Sequence, residues 1–106
     1  MIHFSNVSHI NLSDNEIALF KLWNFANVMK INLSFNKMKE IMVFPEKEIP
    51  LGFPLTQIGY FQNLSSLNLS FNMINPVSLT QLVLLKNSLE DLDLSANDLY
   101  FIPLKF

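Results

Sequence analysis

Four times in 106 residues the chain writes one eleven-residue pattern: VSHINLSDNEI from Val7, VMKINLSFNKM from Val28, LSSLNLSFNMI from Leu64 and LEDLDLSANDL from Leu89. Each copy fits L-x-x-L-x-L-x-x-N-x-L with aliphatic substitutions, and Ser and Asn keep fixed positions in all four. At the centre of every copy two apolar residues flank a polar one, as in Ile10/Leu12, Ile31/Leu33, Leu67/Leu69 and Leu92/Leu94. That alternation is the period of a half-buried strand, so each copy predicts one short strand. The copies recur after 21, 36 and 25 residues. Such intervals let the chain leave the sheet, cross back and lay the next strand parallel to the last.

The pattern resembles the signature of the leucine-rich repeat family, whose periods run from about 20 to 29 residues. The short copies reading x-L-x-L-S-x-N-x-I/L are similar to the intracellular type, which includes phosphatase-regulatory and axonemal scaffold proteins. The resemblance implies an α/β leucine-rich repeat solenoid: four parallel short strands on a concave face, with helical or irregular returns on the convex face. It covers nearly the whole chain, so residues 1–106 are expected to form a single leucine-rich repeat domain, part of a longer array. It also implies that Asn15, Asn36, Asn72 and Asn97 turn inward as a structural asparagine ladder, each amide serving backbone groups of its own turn and of a neighbour. Four surface asparagines in turns are the alternative.

The returns are expected to differ. Asn75-Pro76 followed by VSLTQLVLLKNS reads as a helix cap and first-turn proline opening about three turns of helix. ALFKLWNFANV is shorter, and predicts a tight or irregular helix packing Phe20, Leu22, Trp23 and Phe25 beneath the strands. Residues 42–54, MVFPEKEIPLGFP, carry three prolines and a glycine, which forbid regular helix over most of that length. This proline-rich stretch reads as a loop insertion in the 36-residue interval, with a degenerate fifth repeat as the alternative.

With the Leu-x-Leu side chains facing the core, the interleaved residues face the other way. Across the four copies these rows read His9, Lys30, Ser66, Asp91, then Asn11, Asn32, Asn68, Asp93, then Ser13, Ser34, Ser70, Ser95. The next position reads Asp14, Phe35, Phe71, Ala96. Polar floor and aromatic pair together predict a partner-binding face made by Lys30, Asn32, Phe35, Asn68, Phe71, Asp91 and Asp93. Strands pair about 5 Å apart, so Phe35 and Phe71 are close enough to stack if their copies are neighbours. Rings folded against the rim, contributing packing only, are the alternative.

Charge and composition restrict the function classes. Half of the residues are apolar and the net charge is −2, which supplies neither the basic footprint of a nucleic-acid binder nor a cluster for anionic membranes. Every apolar run is interrupted well short of the roughly 18–20 residues that insert into a bilayer. The two histidines, His3 and His9, stand apart from any base or metal pattern. With no cysteine and no phosphate loop, no catalytic residue, cofactor or metal is expected. Asp91 and Asp93 alone make a poor cation site.

The implied function is a non-catalytic protein–protein interaction scaffold, a subunit of a larger assembly in the cytoplasm or at the cytoskeleton or cilium. The alternatives are a secreted or cell-surface recognition module and a regulatory subunit of a phosphatase. Asn-x-Ser sequons at Asn6, Asn11, Asn32, Asn63 and Asn68 favour the secreted alternative only weakly, because the repeat itself generates most of them. No secretory leader is read at the start, and the absence of cysteine favours a reducing compartment. Neither MIHFSN nor LYFIPLKF resembles a polar cap, so contacts with further repeats or neighbouring subunits are expected at the ends.

Overall fold

In the computed structural model, residues 7–25, 27–43, 63–76 and 88–99 are described, together with Leu82 and Leu85. They form an α/β-type arrangement built on parallel strands: β1 (His9–Asn11), β2 (Leu19–Lys21), β3 (Lys30–Asn32), β4 (Glu40–Met42), β5 (Ser66–Asn68) and β6 (Asp91–Asp93). Each eleven-residue copy supplies one strand of a four-stranded sheet ordered β1-β3-β5-β6. The register equates the copies residue by residue, pairing Ile10 with Ile31, Ile31 with Leu67 and Leu67 with Leu92. Because β3 pairs directly with β5, the 36-residue interval between their centres adds no strand to this sheet.

Alternation along each strand directs Ile31 and Leu67 inward, where they are almost fully buried with Leu33 and Leu69. Ile10 and Leu92, on the edge strands, are only partly buried against the same core. Two consecutive amides converge on one carbonyl where a strand begins. Met29 and Lys30 donate to the carbonyl of Ser8, Ser65 and Ser66 to that of Met29, and Glu90 and Asp91 to that of Ser65. This recurring junction holds the strands in register before the ladder starts.

A second, two-stranded parallel sheet pairs β2 with β4, matching Phe20 to Ile41. It corrects the expectation for the first return, in which Phe20 was placed in a helix. Leu19 and Lys21 are exposed while Phe20 is buried, a period of two that suits a strand. Among the described residues of this return, helical winding is one 3-10 turn, Leu22–Phe25, with Leu22 buried and the Phe20 and Phe25 ring centroids 4.7 Å apart. Returns that are only helical or irregular therefore do not describe this side of the molecule: part of it is a sheet.

The proline-rich stretch begins later than expected, since Met42 ends β4 and Val43 is fully buried. Residues 44–54 lie outside the described residues. So do most of the helix expected after Asn75-Pro76 and the stretches MIHFSN and YFIPLKF at the ends. Of the expected helix, Leu82 and Leu85 are fully buried in the core, and the amide of Leu89 donates to the carbonyl of Leu85.

Leu67 lies in the middle of both sheet and core. Leu67→Ala should lower stability by about 2–5 kcal/mol, the cost of lost transfer energy plus an unfilled cavity. Urea denaturation followed by circular dichroism measures it, and Leu92→Ala, at a half-buried edge position, should cost less.

Candidate functional site

Beyond each strand of the four-stranded sheet the chain turns a corner, and the corner is built the same way four times. The side-chain oxygen of Asn11, Asn32, Asn68 or Asp93 accepts from both the amide and the hydroxyl of the serine two residues later. The amide distances are 3.0 Å throughout, and the hydroxyl distances are 2.6–2.7 Å. Asn32 and Asn68, read as partner-binding residues, therefore carry a local structural task as well, at positions that are only partly exposed. Ser34 and Ser70 are buried rather than facing out with the polar floor, because the chain has already begun to turn and each hydroxyl folds back on its asparagine.

The next residue in every copy takes a left-handed backbone: φ is 58° at Asp14, 56° at Phe35, 55° at Phe71 and 54° at Ala96. For a non-glycine residue this costs roughly 1–2 kcal/mol, and phenylalanine is an unusual occupant. Backbone bonds between neighbouring corners hold it there. Asp14 donates to the Ser34 carbonyl, Phe35 to that of Ser70 and Phe71 to that of Ser95, at 3.0–3.1 Å.

The asparagine that follows ties each corner to its neighbour. Asn72 donates to the carbonyls of Leu69 (3.1 Å) and Ser70 (3.2 Å) in its own turn and of Leu33 (2.9 Å) in the preceding one. Its side-chain oxygen accepts from the Met38 amide at 3.0 Å. Asn36 repeats the set with Leu33, Ser34, Leu12 and the Ile17 amide, and Asn97 with Leu94, Ser95, Leu69 and the Ile74 amide. Among the described residues, Asn15, in the first copy, bonds within its own turn, to Leu12 and Ser13. Among the described residues no buried side-chain nitrogen or oxygen lacks a partner.

The corners project Phe35 and Phe71 from one edge of the sheet. Their rings stack 4.3 Å apart and within 7° of parallel, and each residue remains 50% exposed. An open groove along this edge is lined by the two rings with Asp14, Asn36, Lys37 and Ala96. Met73, which sequence reasoning missed, stands 44% exposed beside it, lining a second groove that shares Asn72 and Ala96 with the first. A signal existed, since its column reads Glu16, Lys37, Met73, Asp98 and methionine is the one apolar member.

Lys30 lies in the cross-strand row His9, Lys30, Ser66, Asp91, at the start of β3, the strand that leads to Phe35. His9 bonds to the Ser8 hydroxyl at 2.7 Å, and Asp91 and Asp93 share the exposed side of β6. The rows thus bring basic residues to β1 and β3 and acidic ones to β6. The Ser95 hydroxyl, and secondarily the Ser95 amide, holds the Asp93 carboxyl below its ordinary range, against a small opposing effect of burial. Among the described residues, no group of three or more His, Cys, Asp or Glu side chains is placed to hold a metal ion, and no helix is long and apolar enough to cross a membrane. No protein-family model, curated protein or solved structure gives a significant match to this chain.

Two substitutions probe this construction. Asn72→Ala strands the Leu33 and Leu69 carbonyls and the Met38 amide, and should cost about 3 kcal/mol or more, against about 1 kcal/mol or less for Asn15→Ala, in urea titrations. Asp93→Asn installs the residue that the other three copies use and keeps the acceptor. Asp93 titrates lower when folded than unfolded, so its carboxylate adds stability above the unfolded pKa that disappears as pH falls through the folded one. Between about pH 6 and about pH 3 the parent should therefore lose more stability than Asp93→Asn, seen as converging or crossing denaturation midpoints.

Proposed function

We propose that this chain is a leucine-rich repeat solenoid of the intracellular short-repeat type, acting as a non-catalytic scaffold that binds a protein partner through its concave face. The observation that carries the reading is the stacked pair Phe35 and Phe71. Two large rings stay half in water, on backbone corners that disfavour such residues. Alignment of apolar rings inside a polar surround is the arrangement of an interface anchor. Lys30 on one side and Asp91 with Asp93 on the other would orient the partner, while Asn32 and Asn68 present whatever polar capacity their turn bonds leave.

The solenoid reading is supported by four strands in one register and by corners that repeat to within a few degrees of φ. A cysteine-free chain with few charges suits a cytoplasmic or cytoskeletal assembly, including a ciliary one, better than the cell exterior.

The decisive experiment replaces both anchors without disturbing the corner. Asparagine tolerates the left-handed region, so Phe35→Asn with Phe71→Asn relieves strain while losing the stack, and stability should change by only about 1 kcal/mol. Quantitative affinity capture from the source cells, with parent and double variant side by side, should then lose its specific partner. Retention of the same partner at the same yield by a folded double variant would overturn the proposal.

A further inference from the structure

The four equivalent corner residues run Asp14, Phe35, Phe71, Ala96 across the sheet. The two rings lie nearly parallel at 4.3 Å, close to the spacing between neighbouring strands, so the axis of the stack runs across the sheet from turn to turn. One face of Phe71 is covered by Phe35. The other looks toward the corner of the next turn, to which the Phe71 backbone N–H donates a hydrogen bond at the Ser95 carbonyl, and there the side chain is a single methyl. Ala96 therefore leaves a gap one ring thick at the end of the stack. Both grooves of this edge meet at Ala96, so the gap opens to solvent.

The surroundings select what enters it. Residues 88–99, the copy that carries Ala96, hold Glu90 and Asp91 where β6 begins, Asp93 where it ends and Asp98 past the corner, and no Lys, Arg or His. Among the described residues, Asp98 and Lys39 line one groove at Ala96, and Asp14 and Glu16 against Lys37 line the other, so acids outnumber bases around the gap. A flat cation meets both demands: its plane lies on the ring face and its charge is drawn by the local acids. An ammonium shares the charge but cannot fill a slot shaped by a ring. A neutral aromatic shares the shape but gains nothing from the acids.

We propose that the gap over Ala96 is a receptor for an arginine side chain of the partner protein, whose guanidinium stacks on the free face of Phe71 as the next layer of the aromatic ladder. This rests on the concave-face reading above and names the chemistry of the partner's anchor.

The test uses the whole chain, isotope-labelled, with N-acetylarginine amide as probe at low salt and the Ala96 methyl and Phe71 ring resonances as readout. Saturable shifts at both sites are expected, with binding tighter than that of N-acetyllysine amide by roughly two- to fivefold. Ala96→Phe closes the gap with the residue already accepted at Phe35 and Phe71, and should abolish the shifts at the Phe71 ring. Shifts that do not saturate, a lysine derivative that binds as well, or N-acetyltryptophan amide binding more tightly than the arginine compound would each overturn the proposal. If Ala96→Phe does not fold, the comparison of the three amides on the parent chain decides alone. Partner capture separates the two readings: loss in Phe35→Asn with Phe71→Asn but full retention in folded Ala96→Phe would sink the arginine receptor and leave the scaffold reading standing.

Discussion

A carboxamide offers two hydrogens and an oxygen on a short, stiff arm, and the turns of this protein are joined through that one group. Where the chain leaves each strand, backbone carbonyls lose their sheet partners while the side chains around them are leucines. Asn36, Asn72 and Asn97 fill this deficit by spanning two turns at once, donating backward and accepting from the amide that follows the preceding turn's asparagine. In an apolar interior an unmet carbonyl or amide costs about 1–3 kcal/mol, so each asparagine decides whether the corner can be buried at all. Aspartate would bring acceptors alone, and glutamine a longer arm with more freedom to lose.

The left-handed corner follows from that requirement. To bring the asparagine inward directly after a serine whose hydroxyl caps the strand, the intervening residue must reverse the chain, and it does so at φ of 54–58° in every copy. Amide bonds from corner to corner stabilise the reversal, as the serine caps do from the other side. The backbone is thus determined from three directions and does not depend on the identity of the residue that bears the strain. Asp14, Phe35, Phe71 and Ala96 differ as much as side chains can, on one backbone geometry.

Much of this was legible in advance. The pair of apolar residues around a polar one located all four strands of the main sheet, because alternation has a single physical meaning when one face is buried. The columns placed Phe35 beside Phe71, and only the length of the second interval left their adjacency open until β3 was seen to pair with β5. What sequence could not supply were features made by relations between turns. Phe20 lies in a strand because Ile41 lies beside it, and a three-residue strand has too little pattern of its own to be told from an irregular helix. Ser34 and Ser70 were placed outward by counting in twos, a rule that stops applying at the residue where the chain leaves the strand. Asn32 and Asn68 matched a polar outer face equally well whether their oxygens met a partner or the serine two residues on.

A corner that accepts any side chain is also the place where side chains can vary without cost to the frame. The columns that build the frame are nearly invariant from copy to copy: aliphatic, aliphatic, serine, asparagine. The corner column is not, and its order has a direction. A carboxylate stands at one end, two stacked rings occupy the middle, and a methyl stands at the other end, in a copy that holds four acidic residues. Rings stacked to satisfy each other alone would gain by a third layer, or by turning inward, and the neighbouring corner has room for one. On the proposal above, the incomplete stack is one half of a contact whose missing layer a partner supplies.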